Sequence, residues 1–221
     1  MRLRYIVFGV TQFKEAEPCW QCGHPAAHSL FCEHCDSLQR PTADYYRFLG
    51  IDQKLAIDPK ALEKRFYDLS RLLHPDRYTR KGVTERQHSL EATAILNNAY
   101  RVLRDPVSRA EYVLKQSGFD TPEPRGKNVD PDLLEKVFDL NMALEELRTG
   151  DDVARTQLTH ARQRFLDLRT QSDRELQNLF ARYDESGSRE ALDEIRKLLD
   201  RRKYIHNLVT EVDKALATSL P

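Results

Sequence analysis

Three Asp-Pro dipeptides and three glycines divide most of this chain into helical segments. Each Asp-Pro pair, at 58–59, 105–106 and 130–131, places a carboxylate where it can cap a helix and a proline where it suits the first helical position. The glycines stand where such segments should end, because glycine readily adopts the left-handed conformation that closes a helix. They are Gly118, Gly150 and Gly187. Long amphipathic stretches lie between these marks, so the pattern predicts an all-α fold.

The chain is expected to contain three modules and a linker. Residues 1–40 hold all four cysteines and show little helical periodicity, whereas residues 42–117 hold several short amphipathic helices. Residues 118–131 are rich in proline and glycine, which is typical of a linker. Residues 132–221 contain three long amphipathic segments, which we expect to close into a three-helix bundle.

The charge balance excludes some classes of partner. Lys+Arg and Asp+Glu both number 35, so the formal net charge is zero, whereas nucleic-acid-binding proteins usually carry a basic excess. No apolar run approaches the ~18 residues that span a membrane, and the N-terminal stretch lacks the apolar core and cleavage site of a secretory signal. We therefore expect a cytoplasmic protein (or one of the mitochondrial matrix in a eukaryote) that binds neither nucleic acid nor membrane.

The four cysteines form two C-x-x-C knuckles, Cys19 with Cys22 and Cys32 with Cys35. Each knuckle can present two thiolates from one tight turn, and two knuckles complete a tetrahedral shell that suits zinc. Four cysteines leave no open coordination position, so the interpretation is one structural Zn²⁺ per chain, with iron left open. A redox dithiol would need a βαβ context, which the pattern lacks. Three nearby histidines are either spare ligands or plain surface residues: His24, His28 and His34.

The tripeptide His74-Pro75-Asp76 lies between two apolar helical stripes. The stripes consist of Leu62, Phe66, Leu69 and Leu73 before it and Ala92, Leu96, Ala99 and Leu103 after it. Two such helices joined by a polar loop should pack antiparallel as a hairpin. Pro75 ends the first helix and biases His74 to an extended conformation, so we expect His74 and Asp76 to stand at a rigid tip.

The residues around this tripeptide resemble a J domain. The segment 44–46 (Asp-Tyr-Tyr) precedes it, the segment 97–106 (Asn-Asn-Ala-Tyr-Arg-Val-Leu-Arg-Asp-Pro) follows it, and Arg-Ala-Glu-Tyr comes at 109–112. The resemblance implies that the tripeptide binds a DnaK-class chaperone and stimulates its ATPase. It also implies a contribution from Lys64, Arg65 and Arg71, whose positive charge could steer an acidic partner surface.

The C-terminal segment carries a coiled-coil-like seam and a second apolar stripe. The seam consists of Leu133, Val137, Leu140, Leu144 and Leu147, with alternating spacings of four and three. Leu134, Phe138 and Met142 form the second stripe, and Tyr204 lies beside the seam of the last helix. Apolar side chains beyond a filled seam suggest a docking face, although a wide bundle core is the equal alternative.

Cysteine knuckles, a J-domain-like segment and a three-helix bundle together resemble the HscB family of iron–sulfur cluster co-chaperones. The resemblance implies that the bundle binds an IscU-like cluster scaffold and that the J domain delivers this scaffold to a chaperone of the DnaK/HscA class. The implied scaffold contacts are Leu134, Phe138, Asp139 and Tyr204, together with Met142, which stands where an acidic residue is usual in the family.

Other functional classes fit the sequence less well. No nucleophile–base set and no phosphate-binding glycine loop is recognisable, which favours a protein that activates a partner over an enzyme. A general co-chaperone of protein folding is the main alternative, but the chain lacks a Gly/Phe-rich segment. A zinc-ribbon nucleic-acid-binding protein is a third, disfavoured by the zero net charge.

Overall fold

The computed structural model describes residues 18–26, 29–119, 131–148 and 152–218. Over these ranges the regular elements are seven α-helices and one 3-10 turn, Pro75–Tyr78, with two isolated β-bridges near the cysteines. The helices are α1 (Tyr45–Leu49), α2 (Pro59–Leu73), α3 (Val83–Arg104), α4 (Pro106–Gln116), α5 (Pro131–Arg148), α6 (Asp152–Ser186) and α7 (Arg189–Thr218). The all-α prediction is confirmed. In the described part of the chain, no helix combines the length and apolar character needed to cross a membrane.

The predicted helix boundaries agree with the structure wherever it describes them. Helices α2, α4 and α5 each begin at the proline of an Asp-Pro pair. The Asp105 carboxylate accepts a hydrogen bond of 2.8 Å from the Ser108 N–H and so caps α4. Gly118 and Gly187 follow α4 and α6 with φ of 73° and 61°, the left-handed conformation that ends a helix. Asp130 and Gly150 lie outside the described residues.

Contacts divide the chain into two compact units. One consists of residues 1–52 and 59–101, and the other of residues 53–58 and 102–221. Helix α4 packs against α7 in the second unit, so this division does not follow the boundary at 117/118 drawn from the sequence. The boundaries at 1–40, 42–117 and 132–221 therefore stay a prediction about separately folding domains.

The first unit is built around the hairpin of α2 and α3. The Phe66 and Tyr100 rings stack with centroids 4.3 Å apart. At the other end of α2, the Leu73 carbonyl accepts hydrogen bonds from the hydroxyls of Ser89 (2.7 Å) and Thr93 (3.2 Å). As one helix runs up from Phe66 to Leu73, the other runs down from Tyr100 to Ser89, so the two are antiparallel, as predicted.

The second unit contains a bundle of α5, α6 and α7. The seam leucines of α5 face a buried core that includes Phe165 of α6 and Ile205 of α7. Three ion pairs join the antiparallel helices α6 and α7 in register: Arg162–Asp213, Asp173–Arg202 and Arg182–Glu194. Helix α6 has 35 residues, which is about 52 Å at 1.5 Å per residue.

Asp184, near the end of α6, binds a loop that lies far away in the sequence. Its two carboxylate oxygens accept hydrogen bonds of 2.7 Å from the backbone N–H groups of Leu55 and Ala56. The Leu55 side chain is fully buried in the same unit. One carboxylate therefore holds residues 53–58 against the bundle by two charge-assisted bonds.

We predict that Asp184→Ala lowers the free energy of unfolding by about 1–3 kcal/mol, because the partly buried Leu55 N–H loses its acceptor. Urea denaturation followed by circular dichroism measures the change. Glu185→Ala is the matched control, since Glu185 is an exposed neighbour on the same helix. Equal stability of the two variants would show that the loop is held by the burial of Leu55 alone.

Candidate functional site

The two cysteine knuckles repeat one backbone pattern. The Cys19 N–H donates to the carbonyl five residues on, and the Gly23 N–H donates back to the Cys19 carbonyl at 2.9 Å. Cys32 makes the same two bonds, with Asp36 in the place of Gly23. Both of these residues have a positive φ, 74° at Gly23 and 56° at Asp36, which glycine adopts freely and aspartate tolerates. The sequence thus builds two equivalent turns, each presenting two sulfurs.

The four sulfurs have the spacing of a tetrahedral metal site. Cys19 Sγ lies 3.7 Å from Cys35 Sγ, and Cys22 Sγ lies 3.7 Å from Cys32 Sγ, so each close pair joins the two knuckles. All four ligand atoms lie within 4.8 Å of one another. A metal–sulfur distance of about 2.3 Å requires sulfurs about 3.8 Å apart in a tetrahedron. Two of the sulfur–sulfur distances therefore match a tetrathiolate ion, and the remaining ones, all within 4.8 Å, are close enough for the same ion.

Two buried polar side chains stand behind the sulfurs. The Ser37 hydroxyl lies 3.1 Å from Cys35 Sγ and 3.4 Å from Cys19 Sγ. The Gln39 amide donates to Cys19 Sγ at 3.3 Å and to the Ser37 hydroxyl oxygen at 2.8 Å. Hydrogen bonds of this kind orient metal ligands and stabilise their charged form. The sequence analysis missed both residues, although their place directly after the second knuckle was a usable signal.

The thiols do not all ionise with equal ease. Burial raises the pKa of Cys19, but hydrogen bonds from Ser37 and from the N–H groups of Cys22 and Gln21 outweigh it and lower this pKa. A hydrogen bond from Ser37 likewise lowers the pKa of Cys35. A hydrogen bond from the His24 N–H lowers the pKa of Cys22. Partial burial and the neighbouring sulfurs together have the larger, opposite effect, so the pKa of Cys22 is raised well above its usual range. Crowded thiolates repel one another, and a dication among them would remove that penalty.

The knuckles rest on the first part of α3. The Leu38 carbonyl accepts from Trp20 Nε1 at 2.8 Å and lies 3.1 Å from His88 Nδ1, while the Leu38 N–H donates to Glu85 at 3.4 Å. The Trp20 ring packs edge-on against the His88 ring. Leu38 itself is fully buried. The cysteine module is thus joined to the α2–α3 hairpin mainly through Leu38, whose backbone N–H and carbonyl both take part.

The His74-Pro75-Asp76 tripeptide forms the start of the 3-10 turn between α2 and α3. His74 has ψ of 127°, the extended conformation expected before proline. Its Nδ1 accepts from the Asp76 N–H at 3.3 Å. The turn is held from behind, because the buried Tyr78 donates through its hydroxyl to the Leu72 carbonyl at 3.1 Å. The His74 and Asp76 side chains are 56% and 85% exposed, so the tip is rigid and open to a partner.

One face of α2 leads into this tip. Lys64, Tyr67 and Arg71 are exposed and follow one another at helical spacing. Tyr67 is an exposed aromatic within the basic face, and the sequence analysis did not single it out. Arg65 differs from the other predicted basic residues, since its Nε donates to the Leu49 carbonyl at 2.6 Å and ties α2 to the end of α1.

The second apolar stripe of α5 faces solvent. Leu134, Phe138 and Met142 are 51%, 65% and 50% exposed, and Asp139 is exposed beside them. The seam residue Leu140 is buried, so the core of the bundle does not extend to the stripe. The wide-core alternative therefore fails for these three residues. Tyr204 is only half-buried and packs against the bundle core, so it has a structural contact that the stripe residues lack.

Two family models match the chain. One, described as the DnaJ domain, matches residues 44–112, and the other, described as the HSCB C-terminal oligomerisation domain, matches residues 129–213. The first match covers α1, the hairpin, its tip and the first seven residues of α4. The second covers the described helices α5 and α6 and most of α7.

Curated relatives extend these matches. The iron-sulfur cluster co-chaperone protein HscB homolog of Arabidopsis thaliana is 32% identical over 90% of this chain and 74% of its own length. The co-chaperone protein HscB homolog of Azoarcus sp. (strain BH72) is 31% identical over 78% of this chain and 93% of its own length. The mouse iron-sulfur cluster co-chaperone protein HscB is 32% identical, and this chain spans 60% of its length and 57% of the length of the human protein.

A solved structure has the same fold. The crystal structure of human co-chaperone protein HscB superposes with a TM-score of 0.67 over 89% of this chain and 97% of that chain, at 24% identity. The tip, the bundle and the relatives' long alignments agree with one another, and the chain belongs to the HscB family of iron–sulfur cluster co-chaperones.

Proposed function

We propose that this chain binds an IscU-like cluster scaffold through the exposed stripe of α5 and delivers it to a DnaK/HscA-class chaperone, whose ATPase it stimulates. The observation that carries the proposal is the tip at His74 and Asp76. Hydrogen bonds to the Leu72 and Leu73 carbonyls hold the backbone on its helix side, while the His74 and Asp76 side chains are exposed to solvent. Exposed polar groups held in one conformation lose little entropy on binding, which suits recognition. Catalysis belongs to the chaperone, and this chain supplies only binding energy.

The basic face of α2 would guide the chaperone to the tip. Lys64 and Arg71 are exposed and are separated by two helical turns on the same side as Tyr67. Positive charge of this kind raises the association rate with an acidic surface, and the tyrosine adds apolar area. Arg65 takes part less directly, because its hydrogen bond to Leu49 fixes the base of α2.

The exposed stripe of α5 would form the scaffold-binding surface. Three large apolar side chains at i, i+4 and i+8 stand on one face with Asp139 beside them. Burying such a stripe against a partner removes apolar area from water, and a central aromatic such as Phe138 is the usual anchor. Tyr204 would support this surface from its half-buried place on α7, since it already contacts the bundle core.

The four cysteines would hold one structural Zn²⁺. The tetrahedral sulfur spacing and the hydrogen bonds from Ser37 and Gln39 support a closed tetrathiolate site, which iron would also fit by distance. A bound ion would supply folding energy to the segment that carries the two knuckles, and it would add no reaction chemistry.

We predict that His74→Gln abolishes stimulation of the chaperone ATPase without unfolding the protein, because the His74 side chain supports no core. Steady-state ATP turnover by the chaperone, with and without the variant, measures the effect, and a loss equivalent to ~2 kcal/mol or more is expected. His160→Gln, at an exposed position of α6, is the control. Full stimulation by His74→Gln would remove the tip from the mechanism.

We predict that Phe138→Ala weakens scaffold binding about 30-fold, or ~2 kcal/mol, and changes unfolding stability by less than about 0.5 kcal/mol. Calorimetric titration with the scaffold and thermal unfolding are measured on the same samples. Phe165→Ala is the matched control, since this buried phenylalanine should lose ~3–5 kcal/mol of stability.

A second copy of the chain is the rival occupant of the stripe, because the matching family model is described as an oligomerisation domain. Sedimentation of wild type and of Phe138→Ala measures self-association and so distinguishes a second copy of the chain from the scaffold as the occupant of the stripe. Self-association lost in the variant, with scaffold affinity unchanged, would assign the stripe to a homo-oligomer and refute scaffold docking there.

We predict that the protein contains one zinc per chain and that chelation alters the emission of Trp20, the single tryptophan. Trp20 contacts Leu38 and His88, so loss of the knuckles should free its ring. The helical circular dichroism should persist, since the helices have their own cores. Cys32→Ser, which lacks one ligand, serves as the control and should show no further change on chelation. Wild-type protein without metal would contradict the assignment.

A further inference from the structure

Two exposed histidines stand together at the rim of the cysteine shell. His24 comes from the first knuckle and His34 from the second, and their rings stack with centroids 3.6 Å apart and planes 11° apart. Among the described residues, neither ring takes part in a hydrogen bond or ion pair. Both side chains are exposed, so no burial requires them to meet. Their ring nitrogens are available to a ligand.

The nearest sulfur completes a set of three ligands. One nitrogen of each histidine and Cys22 Sγ all lie within 4.8 Å of one another. Metal–nitrogen distances of about 2.1 Å and metal–sulfur distances of about 2.3 Å require ligand atoms about 3.4–3.8 Å apart in a tetrahedron. Stacked rings cannot both direct a nitrogen lone pair at one ion, so the two exposed rings must rotate out of the stack to bind it. Cys22 and Cys35 are half-buried, whereas Cys19 and Cys32 are buried, and Cys22 is the half-buried cysteine whose sulfur lies beside the two rings.

We propose that His24, His34 and Cys22 form a second metal site, facing solvent, that binds a divalent cation such as Zn²⁺ or Co²⁺ and shares the Cys22 sulfur with the four-cysteine shell. The proposal rests on the zinc shell proposed above. A thiolate retains lone pairs after it binds one ion, so one sulfur can bridge two. Two imidazoles and a thiolate suit borderline cations, and water fills the fourth position.

Electrostatics favours a second ion at this rim. Four thiolates around one dication carry a net charge of two minus, and the exposed Glu33 adds another negative charge next to His34 in the chain. A cation held by neutral imidazoles beside that charge offsets it. This site should bind its ion more weakly than the closed shell does, because one side is open to water and the stacked rings must separate before they bind. It can therefore exchange its ion with solvent while the shell keeps its own.

The test is a titration of the zinc-loaded full chain with Co²⁺ alone. Zinc content is measured first and reports on the shell, so a failure of the shell and a failure of the second site appear in different measurements. Wild type should bind one further Co²⁺ per chain, with a sulfur-to-cobalt absorption band that marks Cys22 as a ligand. His24→Ala and His34→Ala should each weaken this binding about tenfold or more and retain one zinc.

His160→Ala, which removes an exposed histidine on α6, is the matched control and should bind Co²⁺ as wild type does. Wild type that binds no Co²⁺ beyond its zinc would overturn the proposal. So would equal Co²⁺ binding by the double variant His24→Ala/His34→Ala, or binding without the sulfur-to-cobalt band. If zinc is absent from the first measurement, the same variants compared in the metal-free chain still decide whether the two histidines bind the ion.

Discussion

The Leu73 carbonyl, at the last residue of α2, is the acceptor on which the functional turn depends. Pro75 ends the helix, so no backbone N–H of α2 is available to donate a hydrogen bond to this carbonyl. The hydroxyls of Ser89 and Thr93 on α3 satisfy it instead. These bonds keep the end of α2 against α3, and the turn that begins at His74 is therefore fixed in place while its own side chains remain in solvent.

The same stretch of α3 supports the cysteine module. Glu85 and His88 bind the backbone of Leu38, and Ser89 and Thr93 bind Leu73. Spacings of one to four residues place these four side chains within about two turns of one helix. The first half of α3 thus serves two purposes, because it holds the cysteine module and also the turn that begins at His74.

The bundle illustrates how a helix separates core from interaction surface. Leu133, Leu140 and Leu144 of α5 are buried, while Leu134, Phe138 and Met142 on the neighbouring stripe are exposed. Helices α6 and α7 pack against the seam, and their ion pairs hold the register. Once the seam is filled, any further apolar stripe stays in water. An exposed apolar stripe of this kind is typical of an interaction surface.

Local signals were sufficient for the helices, for the extended His74 and for the pairing of the knuckles. Capping, proline and glycine act within a few residues, and apolar spacing reports which side of a helix faces a core. Distant contacts carried no such signal. Asp184 binds the N–H of Leu55 across 129 residues of sequence, and Glu85 accepts a hydrogen bond from the N–H of Leu38 across 47 residues. Periodicity placed Val137 in the seam and Phe138 on a second stripe, but only packing could decide that this stripe stays exposed and is not part of a wide core. Burial depends on what lies opposite a side chain, and that neighbour comes from another helix whose position the local sequence does not specify.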